Sequence, residues 1–273
     1  MGKLVFVIVS VLIFSCKHAS SALNVNNGIL DHEVRYSFVG AIIVDDPEDS
    51  LRHLYRSGRR ADESRVLCSG ALLCPNVILT AAHCSWDYWS KLKNYRFSNQ
   101  YAVYEDDNPI KITSFWIHPK YIHGRRETIS NDVGLVRLES NVKLDQYPTL
   151  SDFVPQNKGA VSIVIGYGQD GHNPADGRRR SGHMDFEKIR TDLNDPMLVY
   201  LPSVRNQHPL SNDSGAPIAI GGDPYKIIGV NRGGYAKWFT TYFTVASVKE
   251  NNPELKDKIS KWCSPWLDPT FQN

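Results

Sequence analysis

The chain has 273 residues, with 31 Lys and Arg against 29 Asp and Glu, a formal charge of +2, and 41% hydrophobic residues. That length suits one large β domain or two ordinary domains, and the near balance of charge excludes a strongly basic nucleic-acid binder. Five cysteines in so long a chain also exclude a scaffold packed mainly by disulfides.

In chain order, the first element is a secretory signal. Lys3 supplies a positive start, Leu4 to Phe14 is apolar apart from Ser10, and Ser20-Ser21-Ala22 offers the small residues of a cleavage site. The expectation is a signal peptide over 1–22, cut after Ala22. The run is short for a membrane span and no later segment is long enough, so the mature protein is expected to be extracellular with no membrane partner. A lipoprotein reading at Ile13-Phe14-Ser15-Cys16 is opposed by the bulky Phe14. Losing Lys3 and Lys17 with the signal takes the formal charge from +2 to 0.

Beyond the signal, short apolar or alternating runs alternate with Gly, Pro, Asn and Asp. Strands are predicted at Phe38 to Val44, Val66 to Leu73, Val77 to Thr80, Ile110 to Trp116, Val133 to Leu138, Val161 to Ile165, Ile227 to Val230 and Tyr242 to Val248. Asp45 to Ser64 reads as a long polar surface loop, and Arg178-Arg179-Arg180 as a solvated loop or nicking site. One helix is predicted from Pro253 onward, with Leu255, Ile259 and Trp262 on one face. Many strands and one terminal helix predict an all-β barrel or sandwich.

Cys16 departs with the signal, leaving Cys68, Cys74, Cys84 and Cys263. An even count in an exported chain predicts two disulfides, with three pairings open. No Cys-x-x-Cys pair or His cluster suggests a metal, and no cofactor is expected.

Three stretches carry the chemistry: Thr80-Ala81-Ala82-His83-Cys84, Asn131-Asp132-Val133-Gly134-Leu135, and Asn212-Asp213-Ser214-Gly215-Ala216-Pro217. A lone His beside a Cys is usually structural, and a lone Asp-Ser-Gly is usually a turn. In this order they are the parts of a hydrolytic charge system: His takes the serine proton, Asp orients His, and backbone N–H groups beside Ser bind the oxyanion. The Gly-x-Ser-x-Gly signature and Ser, Asp, His order of an esterase of another fold are absent.

On these blocks, together with Cys68-Ser69-Gly70-Ala71-Leu72-Leu73, Arg137-Leu138 and the turn Gly166-Tyr167-Gly168, the chain resembles the chymotrypsin-like (trypsin family) serine endopeptidases over nearly all of its mature length. The resemblance implies two six-stranded antiparallel β-barrels with a C-terminal α-helix, in one peptidase domain over 25–273, preceded by a short pro-segment at 23–24. It implies catalytic roles for His83, Asp132 and Ser214, and an oxyanion hole from the N–H groups of Asn212 and Ser214. It implies a Cys68–Cys84 bridge, which leaves Cys74 and Cys263 to tie the first barrel to the terminal helix. It also implies peptide or protein substrates and protein protease inhibitors as partners.

The serine block departs from the family's Gly-Asp-Ser-Gly-Gly-Pro at Asn212 and Ala216. Asn keeps the N–H and tolerates positive φ better than other non-glycine residues. Asn212-Asp213-Ser214 is formally a glycosylation sequon, read here as coincidence. Val25-Asn26-Asn27-Gly28 resembles the family's mature start, whose ammonium would pair with Asp213, but Leu23-Asn24 rather than Arg or Lys precedes it, so either that pair is trimmed, or signal cleavage lies closer to Val25, or Asp213 finds another partner. His208 stands at the base of the specificity pocket, where trypsin-like members carry Asp. Asn231, Arg232 and Gly233, together with the segment from Ser203 to Ser211, would wall the pocket. A trypsin-like preference is therefore not expected: His208 suits an acidic side chain when protonated, as Arg232 does, a polar one when neutral, or is a satisfied histidine with no ligand role. The rival from another class is a non-catalytic, protease-like secreted protein that acts by binding. Asn212, the missing activation cut and the loss of the family's bridge beside the pocket, where Leu210 replaces its cysteine, favour it; the complete His83, Asp132 and Ser214 oppose it.

Overall fold

The computed structural model describes residues 28–31, 35–44, 66–86, 95–122, 131–151, 155–169, 176–190, 197–202, 207–221, 224–235, 240–245 and 252–267. The expected signal segment, the pair 23–24, Val25 and the expected loop from Asp45 to Ser64 lie outside the described residues.

A short strand β1 (Ile29–Leu30) leads into β2 (Val39–Val44), β3 (Val66–Cys74), β4 (Val77–Thr80), β5 (Tyr95–Ser98), β6 (Ile110–Ile117) and β7 (Gly134–Leu138). Strands β2 to β7 close a barrel in the order β2-β3-β4-β7-β6-β5, every neighbour antiparallel. The second half contains β8 (Thr149–Leu150), β9 (Val161–Gly166), β10 (Arg180–Arg190), β11 (Met197–Pro202), β12 (Pro217–Ile220), β13 (Lys226–Tyr235) and β14 (Thr240–Val245). Its order β10-β11-β14-β13-β12-β9 returns on itself, because β9 also pairs with β10. Strand β1 adds to β10 and β8 to β13 at the margins. The fold is thus the expected all-β pair of six-stranded rings. A four-residue helix α1 (His83–Trp86) follows β4, and α2 (Pro253–Leu267) ends the described chain. Among the described residues no helix is long and apolar enough to cross a membrane.

The unbroken apolar runs have a physical reason: several strands are buried on both faces. In β2, Ile42 and Val44 fill the first barrel, while Val39, Ala41 and Ile43 face the core that joins the two barrels and α2. Strands β4 and β7 divide in the same way, Ile78 and Val136 inward, Leu79 and Leu135 toward the joint. The second barrel is filled by Val164, Met184, Phe186, Leu198, Tyr200, Ile218 and Ile228. Each fully buried side chain of this size contributes about 1.5–3 kcal/mol.

Helix α2 starts as the sequence predicts. Asn252 precedes Pro253, and its side-chain oxygen accepts the N–H of Leu255, covering a first-turn donor with no intrahelical partner. Leu255 is buried in the joint core, with Ile259 and Trp262 packed against it. The Cys74–Cys263 disulfide then fastens the helix to β3, and Cys68–Cys84 joins β3 to α1.

The arginine run differs from expectation. Arg178 is exposed, but Arg179 and Arg180 are buried. Arg179 donates from Nε to Asp31 at 2.7 Å and from Nη1 to the carbonyls of Asn99 at 2.7 Å and Val39 at 3.0 Å. Arg180 makes a bidentate pair with Asp176, both bonds within 2.8 Å. A charge enters the interior when its partners come with it, and the partner of Arg179 lies 148 positions away.

Candidate active site

Thr80 at the end of β4 pairs with Gly134 at the start of β7. The chain leaving β4 and the chain entering β7 therefore emerge at the same end of the barrel, which places His83 beside Asp132. Gly134 permits the close approach, since a Cβ there would sit 3.0 Å from the Trp116 carbonyl and 3.3 Å from the Ala82 backbone. Asp132 is fully buried. One of its oxygens accepts the backbone N–H of His83 at 2.9 Å and the other meets ring Nδ1 at 2.7 Å. That pair of bonds puts the neutral ring's proton on Nδ1 and leaves Nε2 as the basic nitrogen. The His83 side chain keeps 26% exposure, while that of Asp132 has none.

The serine block arrives from the second barrel, in the turn before β12. Ser69 of β3 donates its backbone N–H to the Ser214 carbonyl at 2.8 Å. Gly215 has φ +78°, and a Cβ there would collide with Thr80 Oγ1 and the Ser69 carbonyl. Glycine is therefore required both by conformation and by space. Thr80 Oγ1 donates to the same Ser69 carbonyl at 2.8 Å. The turn carrying Ser214 thus rests on the strand ends from which His83 departs, and Ser214 stays half-exposed.

From behind, β13 braces the turn. Gly215 donates to the Asn231 carbonyl, Asn231 donates to Ala216, and the Asn231 carboxamide donates to the Asp213 carbonyl, all at 2.8 Å. Asn231 is buried and Arg232 nearly so. Strand β13 carries a bulge between Asn231 and Gly233. Gly233 has φ +124° with open space where a Cβ would stand. His208 is also buried, and its neighbour Gln207 accepts the His183 N–H of β10 at 2.8 Å. His208 and Arg232 therefore lie on the two segments that flank the serine turn.

Asp213 is fully buried in a cradle that only glycines leave open. A Cβ at Gly166 or Gly168 would overlap its carboxylate. The carboxylate accepts Gly168 N–H at 2.7 Å and Leu210 N–H at 2.9 Å. Burial pushes its pKa up to about 6, against the pull of those two donors and of the Arg180 charge. Among the described residues no cation lies at ion-pair distance from it.

Ser69 and Tyr167 were quoted in the sequence motifs without a role. Ser69 Oγ accepts the Tyr167 N–H at 3.1 Å. The buried Tyr167 hydroxyl lies 2.7 Å from the Gln100 carbonyl and accepts from Arg179, so it bridges the barrels. The bonds to Ser69 and Gln100 span 98 and 67 positions and leave no local sequence signal. The donor atoms of Cys68, His83 and Cys84 lie within 4.8 Å of one another, but both sulfurs are joined in the disulfide and offer no thiolate to a metal.

Comparison with known proteins bears on the family. The Trypsin family model matches residues 51–249. The chain is 23% identical over 176 residues to a cercarial protease of Schistosoma mansoni, covering 56% of this chain and 66% of that protein. It is 27% identical over 172 residues to a chymotrypsin of Phaedon cochleariae, covering 59% and 61%. With trypsin epsilon of Drosophila erecta it shares 27% over 187 residues, covering 62% and 68%. The chain thus spans slightly less than two thirds of the first two relatives. Two β-barrels, the His83–Asp132 pair, the braced Ser214 turn and the match over 51–249 agree, and the chain belongs to the trypsin family.

Proposed function

We propose that the chain is a secreted serine endopeptidase that hydrolyses peptide bonds through an acyl-enzyme on Ser214. The observation that carries the reading is the buried Asp132 bonded to both the backbone and the ring of His83. A carboxylate so placed serves to hold one tautomer and to stabilise the imidazolium that forms during reaction. His83 Nε2 takes the Ser214 proton as Oγ attacks the substrate carbonyl, then gives it to the leaving amine. Water, deprotonated by the same nitrogen, releases the acyl group. The N–H groups of Ser214 and Asn212 hold the oxyanion, each contributing about 3 kcal/mol.

Specificity follows from His208 and Arg232, with Asn231 behind the turn and Gly233 leaving the entrance open. Two basic side chains flanking the turn favour an acidic residue on the acyl side of the cut and disfavour Lys or Arg. The protein is made with the signal 1–22, starts at Val25 after loss of Leu23-Asn24, and pairs its ammonium with Asp213. Protein protease inhibitors fit the same cleft as substrates.

Digestion of an unbiased peptide library by the purified mature protein tests this reading. Cleavage after Asp or Glu, lost in Ser214→Ala and relaxed in His208→Ala, is the expected result. Library peptides left intact by a correctly processed wild type would sink the protease assignment, and cleavage after Lys or Arg would sink the specificity.

A further inference from the structure

Residue 212 is held from three directions. Asn212 adopts φ +73°, in the left-handed region where Asn is the most tolerant side chain after glycine. Its carboxamide nitrogen donates to the Val66 carbonyl of β3 at 2.6 Å, a bond from the second barrel to the first across 146 positions. The preceding carbonyl, of Ser211, accepts the Gln169 N–H at 2.9 Å. The following carbonyl, of Asn212 itself, receives a longer contact of 3.4 Å from Ser69 Oγ.

These bonds dictate a direction. The peptide between Ser211 and Asn212 is planar and trans, so its N–H leaves on the side opposite its carbonyl. With that carbonyl fixed on Gln169, the Asn212 N–H is aimed away from Gln169. Rotation of this peptide would require breaking the Gln169 bond and moving an α-carbon whose side chain is tied to Val66. A glycine at 212 has the conformational freedom but no side chain with which to make the tie.

We infer that the Asn212 carboxamide is a positioning strut, which holds the oxyanion donor in place by bonding the serine turn to Val66 of the opposite barrel. The strut rests on the serine-hydrolase reading above for its consequence, though not for its existence. It makes Asn212 a substitution that builds the hole rather than one that erodes it. A preorganised donor acts on the tetrahedral intermediate and little on the bound substrate, so its loss lowers kcat and leaves KM nearly unchanged.

Asn212→Asp and Asn212→Gly separate the possibilities. Asp keeps the shape but replaces the donor by a carboxylate facing the Val66 carbonyl. Gly keeps the backbone conformation and deletes the tie. With a chromogenic ester as substrate, kcat is expected to fall about 100-fold in N212D and about 10-fold in N212G, with KM within about 2-fold. Ser69→Ala, which removes the weaker contact together with the acceptor of the Tyr167 N–H, leaves the Asn212–Val66 tie intact and should lower kcat less than N212G does. Hydrogen exchange of the segment from Leu210 to Gly215 is followed in parallel, and should speed up in both Asn212 variants. Should N212D fail to fold, N212G carries both readouts. A kcat in N212G equal to or above wild type overturns the strut. If the wild type turns over no ester, the hydrolase reading fails instead. Exchange then decides the strut alone: faster exchange in the variants supports it, and unchanged exchange overturns it.

Discussion

The two halves of the site are built differently. The His83–Asp132 half is supplied by one barrel, from paired ends of β4 and β7, and its key bonds span 49 positions. The Ser214 half is held across the barrel joint by Ser69 on Ser214 and Val66 on Asn212, and within its own barrel by Gly168 on Asp213. The first half is complete within its own strands. The second exists only when both barrels are folded and docked, so damage to the joint should reach Ser214 before it reaches His83.

The largest effect is expected in the self-sufficient half. Asp132→Asn keeps the shape but favours the wrong tautomer, and should lower kcat by about four orders of magnitude while leaving the fold intact. Ester hydrolysis and circular dichroism together check this.

Next comes the joint. Arg179→Ala leaves Asp31 buried without its cation and removes bonds to Val39 and Asn99, a loss of about 3–5 kcal/mol read by urea unfolding. Replacing Asp31 and Arg179 together by Leu should recover much of that. The Cys74–Cys263 bridge closes a separation of 189 positions, and its removal should cost about 2–4 kcal/mol.

Asp213 sharpens the contrast through pH. In the chain without a partnering ammonium, its folded pKa of about 6 lies above the unfolded value near 3.8. The folded state then binds more protons between those values, so the stability Asp213 contributes is full below pH 3.8 and is lost as pH rises to about 6. Relative to Asp213→Asn, the precursor should lose on the order of 3 kcal/mol across that window. In a chain starting at Val25, an ammonium on Asp213 should abolish or reverse the slope. Melting temperatures of both forms from pH 4 to 8 check it.

The smallest effect lies at the helix contact. His118 is buried, with Nδ1 accepting the Lys120 N–H and Nε2 donating to Asn252, so the neutral ring is satisfied on both sides. Burial lowers its pKa, opposed by Asn252 and Glu254 and aided by Lys120. Its contribution is full above about pH 6.5 and declines as pH falls through that value. His118→Gln should flatten this part of the melting profile.

Much of the architecture was legible because it is written locally. Runs such as Val77 to Thr80 are apolar on both faces, and Leu255, Ile259 and Trp262 repeat at helical spacing. Strand β10 was missed because it carries Arg180, Asp185, Glu187, Lys188 and Arg190 and shifts register between Phe186 and Lys188, which spoils the alternation. Strand β5 sets Arg96 among its four residues, and β12 opens on Pro217, which weakens a strand reading. At the site, the His, Asp and Ser blocks stood out by residue type and order. The burial of Arg179, the bridging by Tyr167 and the tie from Asn212 to Val66 depend on partners 67 to 148 positions away, which no window of sequence brings together.

The central claim is that the two halves meet as a working nucleophile. Stoichiometric labelling of the mature protein by a fluorophosphonate probe tests it most directly, with the modified residue mapped by mass spectrometry. One adduct per chain is expected on Ser214, absent in Ser214→Ala and slowed at least about 1,000-fold in His83→Ala. A correctly processed wild type that takes up no probe, or an adduct that persists in Ser214→Ala, would contradict it.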